Sequence, residues 1–233
     1  MIYSFYRDAY LKELAAEVVE ANGKFIILND TIFYASGGGQ PHDTGKIIYE
    51  NEVYNVIFVK KFDNKLSHEV DKEGLKVSDK VKCILDWERR YILMRMHTAT
   101  HILSTLIHNR TGALITGNQL NIDKTRIDFS LDNFNREDIQ KYVNEANEII
   151  KQNLATKSYF ISREEALKLE SLTKLAKGLD ENLKEIRLVE IGDFDKQADG
   201  GTHVKNTDEI GKIELLEIEN KGKNNRRVYF RLI

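Results

Sequence analysis

Short apolar runs separated by Asn, Asp and Gly occupy residues 24–28, 31–34, 45–49 and 52–59, each rich in β-branched or aromatic side chains. Such runs predict strands, and several at this spacing predict a small barrel or sandwich. Residues 81–85 add another strand, on which Cys83 reads as a packed core thiol. Residues 11–19 fit either a short helix or an opening strand. The pattern changes near residue 90. Between Tyr91 and Asn109 there is neither Gly nor Pro, and apolar residues surround two histidines, which predicts a helix. A strand is expected at 125–129. A helix follows from Asn135 to about Asn153, with Ile139, Tyr142, Val143, Ala146 and Ile149 or Ile150 at helical spacing. Residues 156–162 predict a strand, and Ser162 with Glu165 forms a capping-box signature for a short helix. A strand at 186–191 and a hairpin over 212–232, turning near 220–225, complete the chain. The predicted class is α+β, with a β domain over 1–90 and a mixed domain over 91–233.

Composition narrows the functional classes. Of 233 residues, 41% are hydrophobic and 31% charged, as in a globular protein. No apolar run approaches the length that spans a bilayer, so no membrane partner is expected. The first eight residues lack the basic-then-apolar order of a signal peptide. One cysteine excludes an internal disulfide and suits a reducing compartment, so the expected location is cytoplasmic. A net charge of −2 does not announce a nucleic-acid binder. Local basic groups exist at Lys124 and Arg126, at Lys174, Lys177 and Lys184, and over 221–227. Each alone reads as a solvated face or a hairpin tip.

Two segments carry the chemistry. In His97-Thr98-Ala99-Thr100-His101, helical spacing puts both imidazoles on one face, one turn apart. Asp199-Gly200-Gly201-Thr202-His203 repeats that spacing with an acid and a histidine across a Gly-Gly turn. Together they offer three nitrogens and one carboxylate, a zinc-type donor set. A zinc protease helix would need Glu directly after the first histidine; here that residue is Thr98. His42, His68 and His108 have no partner at ligand spacing. A third segment, Ser36-Gly37-Gly38-Gly39-Gln40-Pro41, interrupts the β region and lacks the GKS or GKT ending of a phosphate-binding loop.

Residues 33–45 (Phe-Tyr-Ala-Ser-Gly-Gly-Gly-Gln-Pro-His-Asp-Thr-Gly), Asp86-Trp87-Glu88-Arg89-Arg90, Met96-His97-Thr98-Ala99-Thr100-His101 and Asp199-Gly200-Gly201-Thr202-His203-Val204 resemble, in order and spacing, the editing region of alanyl-tRNA synthetase. They are most similar to its free-standing relatives, the AlaX alanyl-tRNA editing proteins of the medium class. The resemblance implies a small N-terminal barrel ahead of an editing domain with a zinc-type site. It also implies a hydrolase that cleaves mischarged tRNA(Ala) in trans, chiefly seryl-tRNA(Ala) and, in some members, glycyl-tRNA(Ala). The implied partner is tRNA, and the implied cofactor is one Zn2+ per chain.

One departure from the family pattern stands out, because the usual cysteine position is Asp199. A carboxylate can complete a shell of His97, His101, Asp199 and His203, at the cost of weaker preference for zinc over iron, cobalt or manganese. Alternatively, three histidines hold the ion and Asp199 is a general base, or the substitution leaves a metal-poor, catalytically impaired tRNA-binding module. A hydrolase of some other acylated small molecule is a further alternative. For recognition of the amino acid, the resemblance points to Gly38, Gly39 and Gln40 in the glycine-rich loop and to Thr116, Asn118 and Gln119 after the metal helix. The other reading of residues 116–118 is a plain turn. Arg126 and Asp128 are expected to support the strand behind the site.

Overall fold

The N-terminal series of short apolar segments closes into a barrel. The computed structural model describes residues 2–63, 65–132, 135–169, 172–175 and 183–233. It separates the chain into two compact units, Met1–Ile92 and Leu93–Ile233. The first opens with a single helical turn, α1 (Ser4–Arg7), and continues with β1 (Glu13–Asn22), β2 (Phe25–Leu28), β3 (Gly45–Tyr49), β4 (Glu52–Phe62), β5 (Lys65–Val70) and β6 (Lys80–Leu85). The strands run in the order β1-β2-β5-β4-β3-β6, and β6 pairs back onto β1 from Glu13↔Ile84 to Glu17↔Lys80. Closure leaves no unpaired edge to template aggregation. Bulges at Val18/Glu20 and Val56/Phe58 add the local bend a small barrel needs. Val18, Ile26, Ile47, Val59, Val81 and Cys83 fill the interior.

Of residues 11–19, those from Glu13 onward resolve to strand, since β1 must supply the closing edge. Residues 31–34 correct the sequence reading. They form no strand, although all four are buried. Side chains satisfy their backbone instead: Tyr34 N–H donates to Asp43 Oδ2 at 2.6 Å, Phe33 N–H to Thr31 Oγ1 at 3.1 Å, and Arg90 Nη2 to Ile32 O at 2.7 Å. The segment therefore reads as apolar without joining the ladder. β5 escaped sequence reading for the opposite reason: two of its buried residues, Ser67 and His68, are polar.

α2 (Trp87–Thr111) starts in the first unit and continues into the second. It begins earlier than predicted because Asp86 Oδ1 accepts the Arg89 N–H at 3.3 Å, as an N-cap does. After it come β7 (Ile115–Gln119), β8 (Thr125–Phe129), α3 (Arg136–Ile150), β9 (Thr156–Ser162), α4 (Arg163–Leu167), β10 (Glu185–Ile191), β11 (Asp195–Ala198), β12 (Ile213–Asn220) and β13 (Arg226–Leu232). They make a four-stranded sheet, β12-β13-β8-β7, and a three-stranded sheet, β11-β10-β9. The Ser162 capping box is formed, with Glu165 returning the bond. Asn135 caps α3 through Asp138 N–H. α3 buries Ile139, Val143, Ala146 and Ile150 on one stripe, and its Asn147 bonds both N–H and C=O of Ile213 at the start of β12. No helix among the described residues is long and apolar enough to cross a membrane.

Candidate metal centre

α2 is buried on every side through its middle; every residue from Met96 to Ile107 is inaccessible or nearly so. Such a helix would ordinarily be apolar all round. Here Thr98, Thr100 and Ser104 are accommodated because their hydroxyls return to the helix's own carbonyls, Met94 O at 3.0 Å, Met96 O at 2.8 Å and His101 O at 3.2 Å. The stiff helix therefore carries His97 and His101 into the protein interior at fixed separation, with ring centroids 5.2 Å apart.

The second segment reaches the same place from β11. Asp199 N–H bonds Arg187 O at 3.0 Å, and Arg187 Nη1 in turn holds the carbonyls of Asp199 and Gly201 at 3.1 and 2.8 Å. The chain turns sharply there, with Gly201 N–H donating to Asp199 Oδ1 at 2.6 Å. His203 then lies with its ring centroid 4.4 Å from His97 and 4.7 Å from His101. Asp199 Oδ2 lies 3.3 Å from His97 Nε2 and 3.7 Å from His101 Nε2, and Oδ1 lies 3.0 Å from His203 Nε2. One donor atom from each residue falls within 4.8 Å of the others, the only such group among the described residues. Three imidazole nitrogens and a carboxylate oxygen converging in a buried volume are the donor chemistry of a divalent transition ion, and the residues fit one.

The electrostatics follow from that crowding. Burial would raise the Asp199 carboxyl, but the adjoining His97 and the hydrogen bond from His101 hold it well below the usual carboxylate range. Burial and the neighbouring His97 keep His203 neutral, far below an ordinary imidazole. Burial works against charge on His101 too, yet the carboxylates of Asp195 and Asp199 carry it up to about 9. Asp195 is itself held low by His101 and Lys174, against a burial effect in the opposite direction.

Asp195, Gln197, Thr105 and Lys174 are the residues that sequence reasoning missed. The polar alternation of β11 hid it as a strand, and nothing in the sequence ties Asp195 to His101. Lys174 corrects the reading of a solvated face: it is 7% exposed and its Nζ lies 2.6 Å from Asp195 Oδ1. Lys177, grouped with it, lies outside the described residues, while Lys184 is exposed.

The other anticipated residues belong to other elements. Thr116, Asn118 and Gln119 lie on β7 rather than in a turn, because that segment pairs with β8. Thr116 Oγ1 donates to Asn225 Oδ1 at 3.1 Å, and Gln119 Oε1 accepts from Arg126 Nε at 3.1 Å. Those bonds knit the four-stranded sheet. Arg126 and Arg227 both pair with Asp128, at 2.8 and 2.6 Å, on the same sheet. In the barrel unit, Gly38 and Gly39 have φ of 60° and 89°, values that side chains disfavour, and Gln40 is buried at 1% exposure. The loop is held at its base by Asp43, which accepts the Tyr34 N–H and pairs with the fully buried Arg90. His42 and His108 bond the carbonyls of Ile57 and Ala113, and His68 bonds Ile26 O and Thr31 Oγ1.

Comparison with known proteins gives this arrangement its class. Residues 186–229, which hold the second ligand segment, match the threonyl and alanyl tRNA synthetase second additional domain, and residues 4–89 match tRNA synthetases class II (A). The chain thus stands among relatives of class II tRNA synthetases. It is 48% identical to the alanyl-tRNA editing protein AlaX-M of Methanosarcina barkeri, over 98% of both chains. To AlaX-M of Saccharolobus solfataricus it is 44% identical, over 97% of this chain and 96% of that one. Alanine–tRNA ligase of Aeropyrum pernix is 35% identical over 91% of this chain, which corresponds to 24% of the ligase. The chain belongs to the AlaX-M family of alanyl-tRNA editing proteins.

Proposed function

We propose that the protein is a trans-acting aminoacyl-tRNA deacylase that hydrolyses seryl-tRNA(Ala), and more weakly glycyl-tRNA(Ala), in the cytoplasm. The observation that carries this reading is the convergence of His97, His101, Asp199 and His203 on one buried volume in a member of an editing family. These four residues hold the ion, with Asp199 as ligand rather than general base, since its two oxygens face all three imidazoles. Zinc is the expected metal, and the carboxylate donor also admits iron, cobalt or manganese. With all four donors on it, the ion would hold the end of the tRNA or orient the attacking water.

The reaction is addition of water to the ester carbonyl followed by loss of the terminal ribose oxygen of the tRNA, which takes up the proton. Free amino acid and reusable tRNA remain. The protein's own part is to fix the ester carbonyl and keep competing groups out. Gly38, Gly39 and Gln40, with Thr116, Asn118 and Gln119, are the groups proposed to contact the substrate. A site that hydrogen-bonds a serine hydroxyl rejects alanine strongly, because alanine leaves those polar groups unpaired.

The test is a deacylation assay on seryl-, glycyl- and alanyl-tRNA(Ala) with metal content measured on the same preparation. The expected order is seryl above glycyl, with alanyl-tRNA(Ala) spared, and His97→Ala should lose both the metal and at least a hundredfold in rate. Metal-free protein that binds tRNA without cleaving it would replace the enzyme by a binding module.

A further inference from the structure

A histidine that binds a metal through Nε2 must carry its proton on Nδ1, and something has to hold it there. His203 meets this condition through Thr98. The Thr98 hydroxyl gives its hydrogen to Met94 O at 3.0 Å, so at 3.2 Å from His203 Nδ1 it can only accept. His203 Nε2 is then left with its lone pair toward Asp199 and the cluster.

His101 has a stronger partner. Its Nδ1 lies 3.1 Å from Asp195 Oδ2. The Asp195 side chain is fully buried, and every other bond it makes among the described residues is from a donor: Lys174 Nζ at 2.6 Å and Thr105 Oγ1 at 2.8 Å on Oδ1, and Gln197 Nε2 at 2.7 Å on Oδ2. Gln197 Nε2 also sits 2.9 Å from His101 Nδ1. Both nitrogens face the same carboxylate oxygen, and the ionised acid is the better acceptor for each hydrogen. The Lys174 ammonium balances the Asp195 charge, so the carboxylate stays ionised inside the protein.

We infer that Asp195, fixed by Lys174, Thr105 and Gln197, is the positioning residue of the metal centre, locking the His101 ring and its proton so that Nε2 faces the ion. This rests on the proposed metal site and deepens it. The hydrogen-bonded acid makes His101 a stronger donor, and the network removes the ring's freedom to rotate. Asp195 acts through His101, its side chain being fully buried.

Cobalt-loaded protein separates this role from simple support of the fold. Metal affinity is measured by competition with a chromophoric chelator, and the visible d–d absorption of bound Co2+ reports ligand geometry. Asp195→Asn is expected to weaken Co2+ binding about 10–100-fold and to alter the absorption envelope. The double variant Asp195→Asn, Lys174→Met removes the unpaired buried ammonium and is expected to show the same loss, with thermal unfolding of the metal-free form showing that it folds. Asp195→Glu should recover part of the affinity. Native affinity and spectrum in a folded Asp195→Asn or double variant would overturn the inference. Failure of the unsubstituted protein to bind Co2+ at all would instead overturn the metal site itself.

Discussion

Buried histidines in this protein divide by what surrounds them. His101 faces two carboxylates and is driven toward the charged form, whereas His68 is buried in the barrel unit, bonded to Ile26 O and Thr31 Oγ1 and edge-on to the Phe33 ring. Burial pushes the His68 imidazole down to about 4. Its ordinary value in an unfolded chain is about 6.5, so the neutral ring stabilises the fold fully above pH 6.5, and that contribution disappears as the pH falls through 4. The amount is about 3 kcal/mol. His203, also held low, acts in the same direction, so the native protein alone cannot separate the two. His68→Gln can. Urea denaturation at intervals from pH 7 to pH 4 should show a shallower loss of stability in the variant, and parallel curves would remove His68 as a source of acid sensitivity.

At the scale of elements, the barrel depends on close passage of its strands. β3 starts at Gly45, which pairs with Val56 on one side and Leu85 on the other. A side-chain carbon there would lie 2.3 Å from the Ile84 carbonyl oxygen and 2.8 Å from the Phe33 ring. The first of these is backbone within the barrel, which cannot yield without breaking its pairing. Gly45→Ala should therefore cost about 1–3 kcal/mol, in the range of overpacked cores, read as a lower urea midpoint with an unchanged slope. The element-level surprise lies in 31–34, where composition argues for a strand and the Asp43–Arg90 pair supplies the hydrogen bonds that a neighbouring strand would have given.

Across the molecule, the two ligand segments belong to different elements of the Leu93–Ile233 unit, and an ion binding both favours the folded state over the unfolded one. Free metal at a hundred times its dissociation constant should add about 2.7 kcal/mol of stability. Because His101 is raised to about 9 in the metal-free protein, the ion has to displace a proton at neutral pH. Affinity should rise with pH toward 9, so the metal-induced gain in unfolding temperature should be larger at pH 8 than at pH 6.5. Chelator should abolish the gain, and His97→Ala should never show it. A gain that is equal at both pH values would contradict proton release from His101.

Much of this was written locally. The four-residue spacing of His97 and His101 on an uninterrupted helix, the capping box at Ser162, the amphipathic stripe of α3 and the C-terminal hairpin all depend on neighbours in sequence, and each was legible there. So was the pairing of the two ligand segments as a donor set, because their residue types carry the chemistry whatever the fold. Asp195 was not legible: an acid on a polar-looking strand acquires meaning when β11 lays it beside His101 and a buried Lys174 keeps it charged. Nor was the placing of Thr116, Asn118 and Gln119 on a paired strand, since hydrogen bonding to β8 decides it. Short-range spacing determines what a residue can do. Long-range packing determines which neighbour it does it with, because burial and partner geometry come from segments far apart in the chain.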